Sequence, residues 1–150
     1  NSPLAKTRVP EGFAVPFGKA RVRREGKDLT ILAYGTPVHF ALEAAAGLAK
    51  EGKSVEVIDL RSLVPLDFEA ITASVKKTSR VLIAHEDKVH GGFGGEVAAR
   101  IGNELFEFLD APVERVGSTF TPVGFNRIPE KAVLPSTEKV LAAARKVLAY

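Results

Sequence analysis

RVLIAHEDKVHGGFGGEVAAR, residues 80–100, decides how the rest of the chain is read. Val81 to Ala84 is a run of branched and small apolar residues that suits a buried, pleated surface, so Arg80–His85 is expected to be a central strand. The polar residues His85, Glu86, Asp87 and Lys88 follow it. Gly91, Gly92, Gly94 and Gly95 then turn the chain around Phe93, and a helical pattern runs from Glu96 to Leu109. A strand that ends in polar groups and passes through glycine into a helix belongs to an open α/β sheet. In such sheets a site, or a major contact, lies at the carboxyl ends of the strands.

The same alternation recurs on both sides of this stretch. Gly18–Arg24 is expected as a short strand, Glu25-Gly26-Lys27-Asp28 as a tight turn and Leu29–Tyr34 as a second strand; so short a turn implies that these two pair antiparallel. Pro37 suits the first turn of a helix that closes at Gly52, a residue fitted to the left-handed conformation. Ser54–Leu60 is a third strand, and Asp67 caps the helix FEAITASVKKT. After the fourth strand and third helix come a fifth strand, Val113–Val116, and an irregular stretch from Gly117 to Pro135. Ser136 caps a last helix, with Glu138 in its first turn where a negative charge suits the helix dipole. Alternating strands and helices predict a mainly parallel sheet covered on both faces, its first strand antiparallel at an edge.

Composition narrows the function. The 150 residues are 45% hydrophobic and 26% charged, the profile of one soluble globular domain. No apolar run is long enough to cross a bilayer, so no membrane partner is expected. Cysteine is absent, which removes disulfides and thiolate metal sites and fits a reducing, cytoplasmic compartment. The net charge is only +3. Lys19, Arg21 and Arg23 alternate along the first strand as edge-guarding charges do, without the interleaved aromatics that nucleic-acid binding would need. Residues 1–17, which hold three prolines, read as an inter-domain linker, and 18–150 as the domain. With no methionine, even at position 1, the chain is expected to be a processed product or a fragment.

The candidate sites compete with plainer readings. Gly92 and Gly94 have the spacing of a dinucleotide fingerprint, but Val97 stands at its third glycine and no acid ends the next strand. The glycines are expected to allow a sharp turn with close backbone approach, with an anion at the helix start as an addition. His85 and His90 are five apart with Glu86 between, which does not fit a zinc helix. His85 and Glu86 point to opposite sides of their strand, so Glu86 is expected to bond loop amides rather than work with His85. Asp59 and Arg61 are read as a salt bridge, His39 as a surface or interface residue, and Phe120 and Phe125 as interface or core-filling aromatics.

VPFGKARVRREGKDLTILAYGT, SVEVIDLRSLVPLD, VKKTSRVLIAHE…GGFGGEVAARI, LDAPVERV and ARKVLAY follow one another in order. This series resembles the carboxyl-terminal, transketolase-like domain of the beta subunit of thiamine-dependent 2-oxo acid dehydrogenases of the pyruvate and branched-chain type. The resemblance implies a three-layer α/β/α fold with a mixed five-stranded sheet. It also implies that thiamine diphosphate and Mg bind in other domains of the complete enzyme, because the Gly-Asp-Gly element of that site is missing here. The catalytic, cofactor and metal residues are therefore expected to lie outside this chain, which would not turn over alone.

Its implied partners are the alpha subunit or alpha half, a second beta copy and the basic subunit-binding domain of the acyltransferase. The resemblance places that docking on Asp110 and the carboxylate of Tyr150, and leaves His85, Glu86, Gly92, Phe93 and Gly94 as a loop or interface site. His85-Glu86-Asp87-Lys88 and Leu66 depart from many relatives and leave the substrate branch open, while the closing Leu-Ala-Tyr leans towards branched-chain relatives. Two alternatives stand beside this reading: a separate nucleotide- or phosphate-binding domain that uses Gly91–Gly95, and a fragment of a transketolase or deoxyxylulose phosphate synthase.

Overall fold

A computed structural model describes residues 11–122 and 132–150. The strands are β1 (Arg21–Arg24), β2 (Leu29–Ala33), β3 (Val55–Asp59), β4 (Val81–Lys88) and β5 (Glu114–Ser118). The helices are α1 (Pro37–Lys50), α2 (Phe68–Thr78), α3 (Phe93–Glu104) and α4 (Thr137–Leu148), with a 3-10 turn at Phe106–Phe108. The five strands form one sheet in the order β1-β3-β2-β4-β5. β1 is antiparallel to β3, and every other pairing is parallel.

All five residues of β2 are buried, as its apolar composition requires of a strand covered on both faces. Alternation along the strands divides the core into two layers. Leu29, Ile31, Val57, Leu82 and Ala84 pack with α1 and α4, whereas Leu32, Ile58, Val81 and Ile83 pack with α2 and α3. The result is the expected α/β/α sandwich. Local signals fix the helix ends. Pro37 opens α1, and Gly52 follows it at φ 75°. Asp67 Oδ1 accepts from Ala70 N at 3.3 Å, and Ser136 Oγ accepts from Lys139 N at 3.4 Å.

The structure corrects several expectations. β1 pairs with β3, not with β2, because the turn after it passes over the start of β3. Lys27 N and Asp28 N both donate to Ser54 O, at 3.0 and 2.8 Å, and Ser54 N donates to Asp28 Oδ2 at 2.6 Å. β4 continues through Lys88, beyond the apolar run, since its polar end pairs with β5. α3 begins at Phe93 and stops at Glu104, where the chain tightens into the 3-10 turn. Asp59 lies near Arg23 (3.7 Å), not in a salt bridge with the Arg61 side chain; it accepts from the Arg61 main-chain N. Of the expected linker, residues 11–17 form neither helix nor strand, and 1–10 lie outside the described residues.

A polar network missed in the sequence lies under β3. Glu56 is 1% exposed, and its carboxylate accepts from Ser74 and from Lys77. Thr30 Oγ1 extends the network to Ser74 Oγ at 2.5 Å and Thr78 Oγ1 at 2.7 Å. Charge pairing and three hydroxyls make this buried carboxylate tolerable. Among the described residues, no helix is long and apolar enough to cross a membrane.

Candidate functional site

β4 carries its polar residues to the carboxyl edge of the sheet, beside the end of β2 and the start of α3. His85 points towards α3 and is fully buried. Gly92 and Gly94 of the quoted stretch, with Gly117 of β5, close around this ring. A Cβ at Gly94 would lie 2.4 Å from His85 Cδ2 and Nε2, one at Gly117 2.7 Å from Cε1, and one at Gly92 3.2 Å from Cε1. Tyr34 stacks on the other side, with ring centroids 6.0 Å apart and planes 9° from parallel. The space opened at Gly92, Gly94 and Gly117 is thus filled by imidazole.

Among the described residues, neither ring nitrogen of His85 has a hydrogen-bond partner. Burial pushes its pKa below the ordinary imidazole value, and the charge of Arg115 acts in the same direction; Asp87 opposes both. Folding therefore holds His85 neutral, so the unfolded chain binds more protons below its ordinary pKa of about 6.5. The resulting stability is complete above that value and is lost as pH falls from there towards the lower folded pKa. His85→Leu, which keeps an apolar body of similar size, is expected to flatten this acid-side loss. Urea midpoints at about pH 7.5 and 5.5 measure the difference; equal losses in the two proteins would contradict it.

The neighbours divide the other roles. Tyr34 Oη donates to Asp87 Oδ2 at 2.9 Å, and burial with this bond raises the phenol pKa. Glu86 is exposed on the opposite side, and its side chain bonds none of the loop amides. Those amides are partly satisfied locally: Gly92 N donates to Lys88 O at 3.1 Å and Gly95 N to Gly92 O at 2.9 Å. The expectation for Glu86 therefore fails, because Ser118 Oγ holds the Glu86 main-chain carbonyl while the carboxylate faces solvent. Phe93 opens α3 and packs on the α2–α3 core layer. His90 is exposed against Phe120, 4.7 Å between ring centroids, and Phe125 lies outside the described residues. His39 is exposed near the start of α1. Tyr34, Arg115 and Gly117 gave no local sequence signal; only the β2-β4-β5 pairing brings them to His85.

The second candidate lies on the far side of α3. Asp110 and Tyr150 line one groove of about 800 Å³ together with Gly95, Ala98 and Gly102 of α3. Tyr150 is 64% exposed, and so is more than half of the Asp110 side chain. Asp110 sits 3.4 Å from Arg80 Nη1 and keeps its outer side open to solvent. The fold therefore brings together two residues that are forty apart in sequence.

The family described as transketolase, C-terminal domain, matches residues 18–140. The mitochondrial pyruvate dehydrogenase E1 component subunit beta-2 of Oryza sativa subsp. japonica is 42% identical over 144 residues, 96% of this chain and 38% of that protein. The acetoin:2,6-dichlorophenolindophenol oxidoreductase subunit beta of Cupriavidus necator is 43% identical over 141 residues, 93% of this chain and 42% of that one. The chain thus spans about two fifths of the length of these curated relatives. The solved structure of a split gene transketolase, an inactive beta4 tetramer, superposes with a TM-score of 0.77 at 37% identity, over 94% of this chain and 46% of that one. With its five-stranded mixed sheet and a family match over most of its length, this chain belongs to the transketolase C-terminal domain family.

Proposed function

We propose that this chain is the carboxyl-terminal assembly and docking domain of a beta subunit in a thiamine diphosphate-dependent 2-oxo acid dehydrogenase complex. In this reading thiamine diphosphate and Mg are held by other parts of the enzyme. The domain packs with an alpha subunit and a second beta copy, and it presents Asp110 and Tyr150 to the basic subunit-binding domain of the acyltransferase. The observation that carries it is the shared groove of Asp110 and Tyr150, on a chain 42–43% identical to beta subunits. An exposed carboxylate and an exposed aromatic residue lining one groove suit a cationic partner with an apolar body. Arg80 orients the carboxylate and leaves its second face for an arriving arginine.

Titration calorimetry against a basic subunit-binding domain tests this. Asp110→Ala and Asp110→Asn are each expected to weaken binding about tenfold. Affinity of the parent protein is expected to fall as salt rises, since the pair is solvent-exposed. Unchanged affinity in both variants would remove the docking role.

A second reading, one half of a split transketolase, is favoured by the 37% identity to such a protein. It predicts no affinity for an acyltransferase domain, so the same titration separates the two. The imidazole of His85, packed against Gly92 and Gly94, argues against a nucleotide seated on that side of the loop.

A further inference from the structure

We propose that a cationic groove at the carboxyl ends of β2 and β3 binds the phosphate group of a small organic phosphate ester. The groove has a volume of about 560 Å³, and Arg21, Arg23, Arg61 and His39 line it together with Phe13 and Val15. It lies at the carboxyl ends of the strands, whereas the Asp110–Tyr150 groove adjoins the start of β5; the two share no residue, and this proposal does not depend on the docking reading.

Topology explains why a crevice opens here. α1 leaves the end of β2 for one face of the sheet, and α2 leaves the end of β3 for the other. Neighbouring loops that part in this way leave the gap in which open α/β sheets bind their ligands. β1 runs back alongside β3 with Arg21 opposite Asp59, which brings the arginines of an edge strand to the mouth of that gap. A groove of this size falls within the range that holds small molecules.

Charge then selects the ligand. Asp59 stands 3.7 Å from Arg23 Nη1 and accepts from Arg61 N at 3.2 Å, so one carboxylate holds Arg23 and the Arg61 main chain in place. It offsets one of the three guanidinium charges. Among the described residues, neither Arg21 nor Arg61 has a carboxylate within 4.0 Å. Two uncompensated guanidinium groups match a phosphate dianion, which each can engage with a planar fork of donors. The first turn of α1 contains no acid, but the Glu86 carboxylate stands beside Gly35, 3.5 Å from the place of a Cβ there, so the guanidinium groups rather than the helix carry the attraction. Phe13, 54% exposed, and Val15, 44% exposed, form an apolar wall on which the organic part of the ester can rest. That wall separates an ester from inorganic phosphate as the better ligand.

The test is titration of the protein with inorganic phosphate, phenyl phosphate and acetate at a constant ionic strength of about 0.15 M. Backbone amide shifts at Gly35, His39 and Arg61 report the site. Saturable shifts are expected with both phosphates, tighter for phenyl phosphate, and none with acetate. Arg21→Gln and Arg61→Gln are each expected to weaken phenyl phosphate binding about tenfold, with Arg61→Lys between them and the parent. A rise in melting temperature with phenyl phosphate, compared with chloride at equal ionic strength, checks the parent protein without any variant. Equal shifts with acetate, unchanged affinity in both Gln variants, or shifts confined to Gly91–Gly95 would each overturn the proposal.

Discussion

Gly26→Ala is expected to cost about 3 kcal/mol of stability, a large effect for one methyl group on an exposed turn. An ideal Cβ at Gly26 would lie 2.1 Å from Glu56 N and 2.2 Å from Val55 C. Both are main-chain atoms of a strand paired on both sides, so no rotamer change makes room. The turn cannot lift away either, because Lys27 N and Asp28 N are bonded to Ser54 O and the Asp28 side chain holds Ser54 N. Moving β3 instead would disturb Glu56, whose buried carboxylate depends on Ser74 and Lys77. For a domain of this size the cost corresponds to a fall of roughly 6–12 °C in melting temperature. Gly102→Ala is the control: it lies within α3 with nothing among the described residues within 4 Å of its Cβ position, and helix propensity alone predicts a gain of about 1 kcal/mol. A fall of less than about 2 °C for Gly26→Ala would mean that the turn is not clamped as described.

The same residues show what sequence reading could reach. Short-range chemistry was legible: Asp67 and Ser136 cap the helices they precede, Gly52 takes the left-handed conformation after α1, and apolar runs mark the buried strands. Those signals involve neighbours along the chain, and any fold that contains the helix would use them. Pairing β1 with β2 failed because loop length speaks only of local closure. The chain crossed to β3 through a gap that Gly26 alone could fit, and the other side of that gap is thirty residues away. Glu56 was hidden for a related reason. Its period-two place in Val55–Asp59 suits a polar outer face, and only α2 packing over it turns that face into interior. Of the candidate sites, the glycine cluster was correctly located at a close approach, but its occupant was not legible. His85 reaches Gly117 only because β5 pairs with β4. The groove of Asp110 and Tyr150 entered through family resemblance, since forty residues separate them in a chain with no local signal linking them.

Gly94→Ala separates packing from propensity by sign. Gly94 is the second residue of α3, where alanine should stabilise the helix by up to about 1 kcal/mol. The new methyl would instead meet His85 Cδ2 and Nε2 at 2.4 Å. The imidazole cannot retreat, because Tyr34 stacks on it and the Gly92 and Gly117 backbones close the remaining sides. Overpacking of this kind costs about 2–3 kcal/mol, which outweighs the propensity gain, so a net loss of about 2 kcal/mol is expected. His85→Ala alone is expected to lose a similar amount by leaving a cavity. Combined, the two changes should interfere less than they do singly, since the methyl introduced by Gly94→Ala occupies space the ring has vacated. A double-mutant cycle from urea unfolding is therefore expected to show a coupling of about 1–2 kcal/mol in favour of the pair. Strict additivity would show that the glycines serve the turn alone, and the cluster would then owe its composition to backbone geometry rather than to a buried histidine.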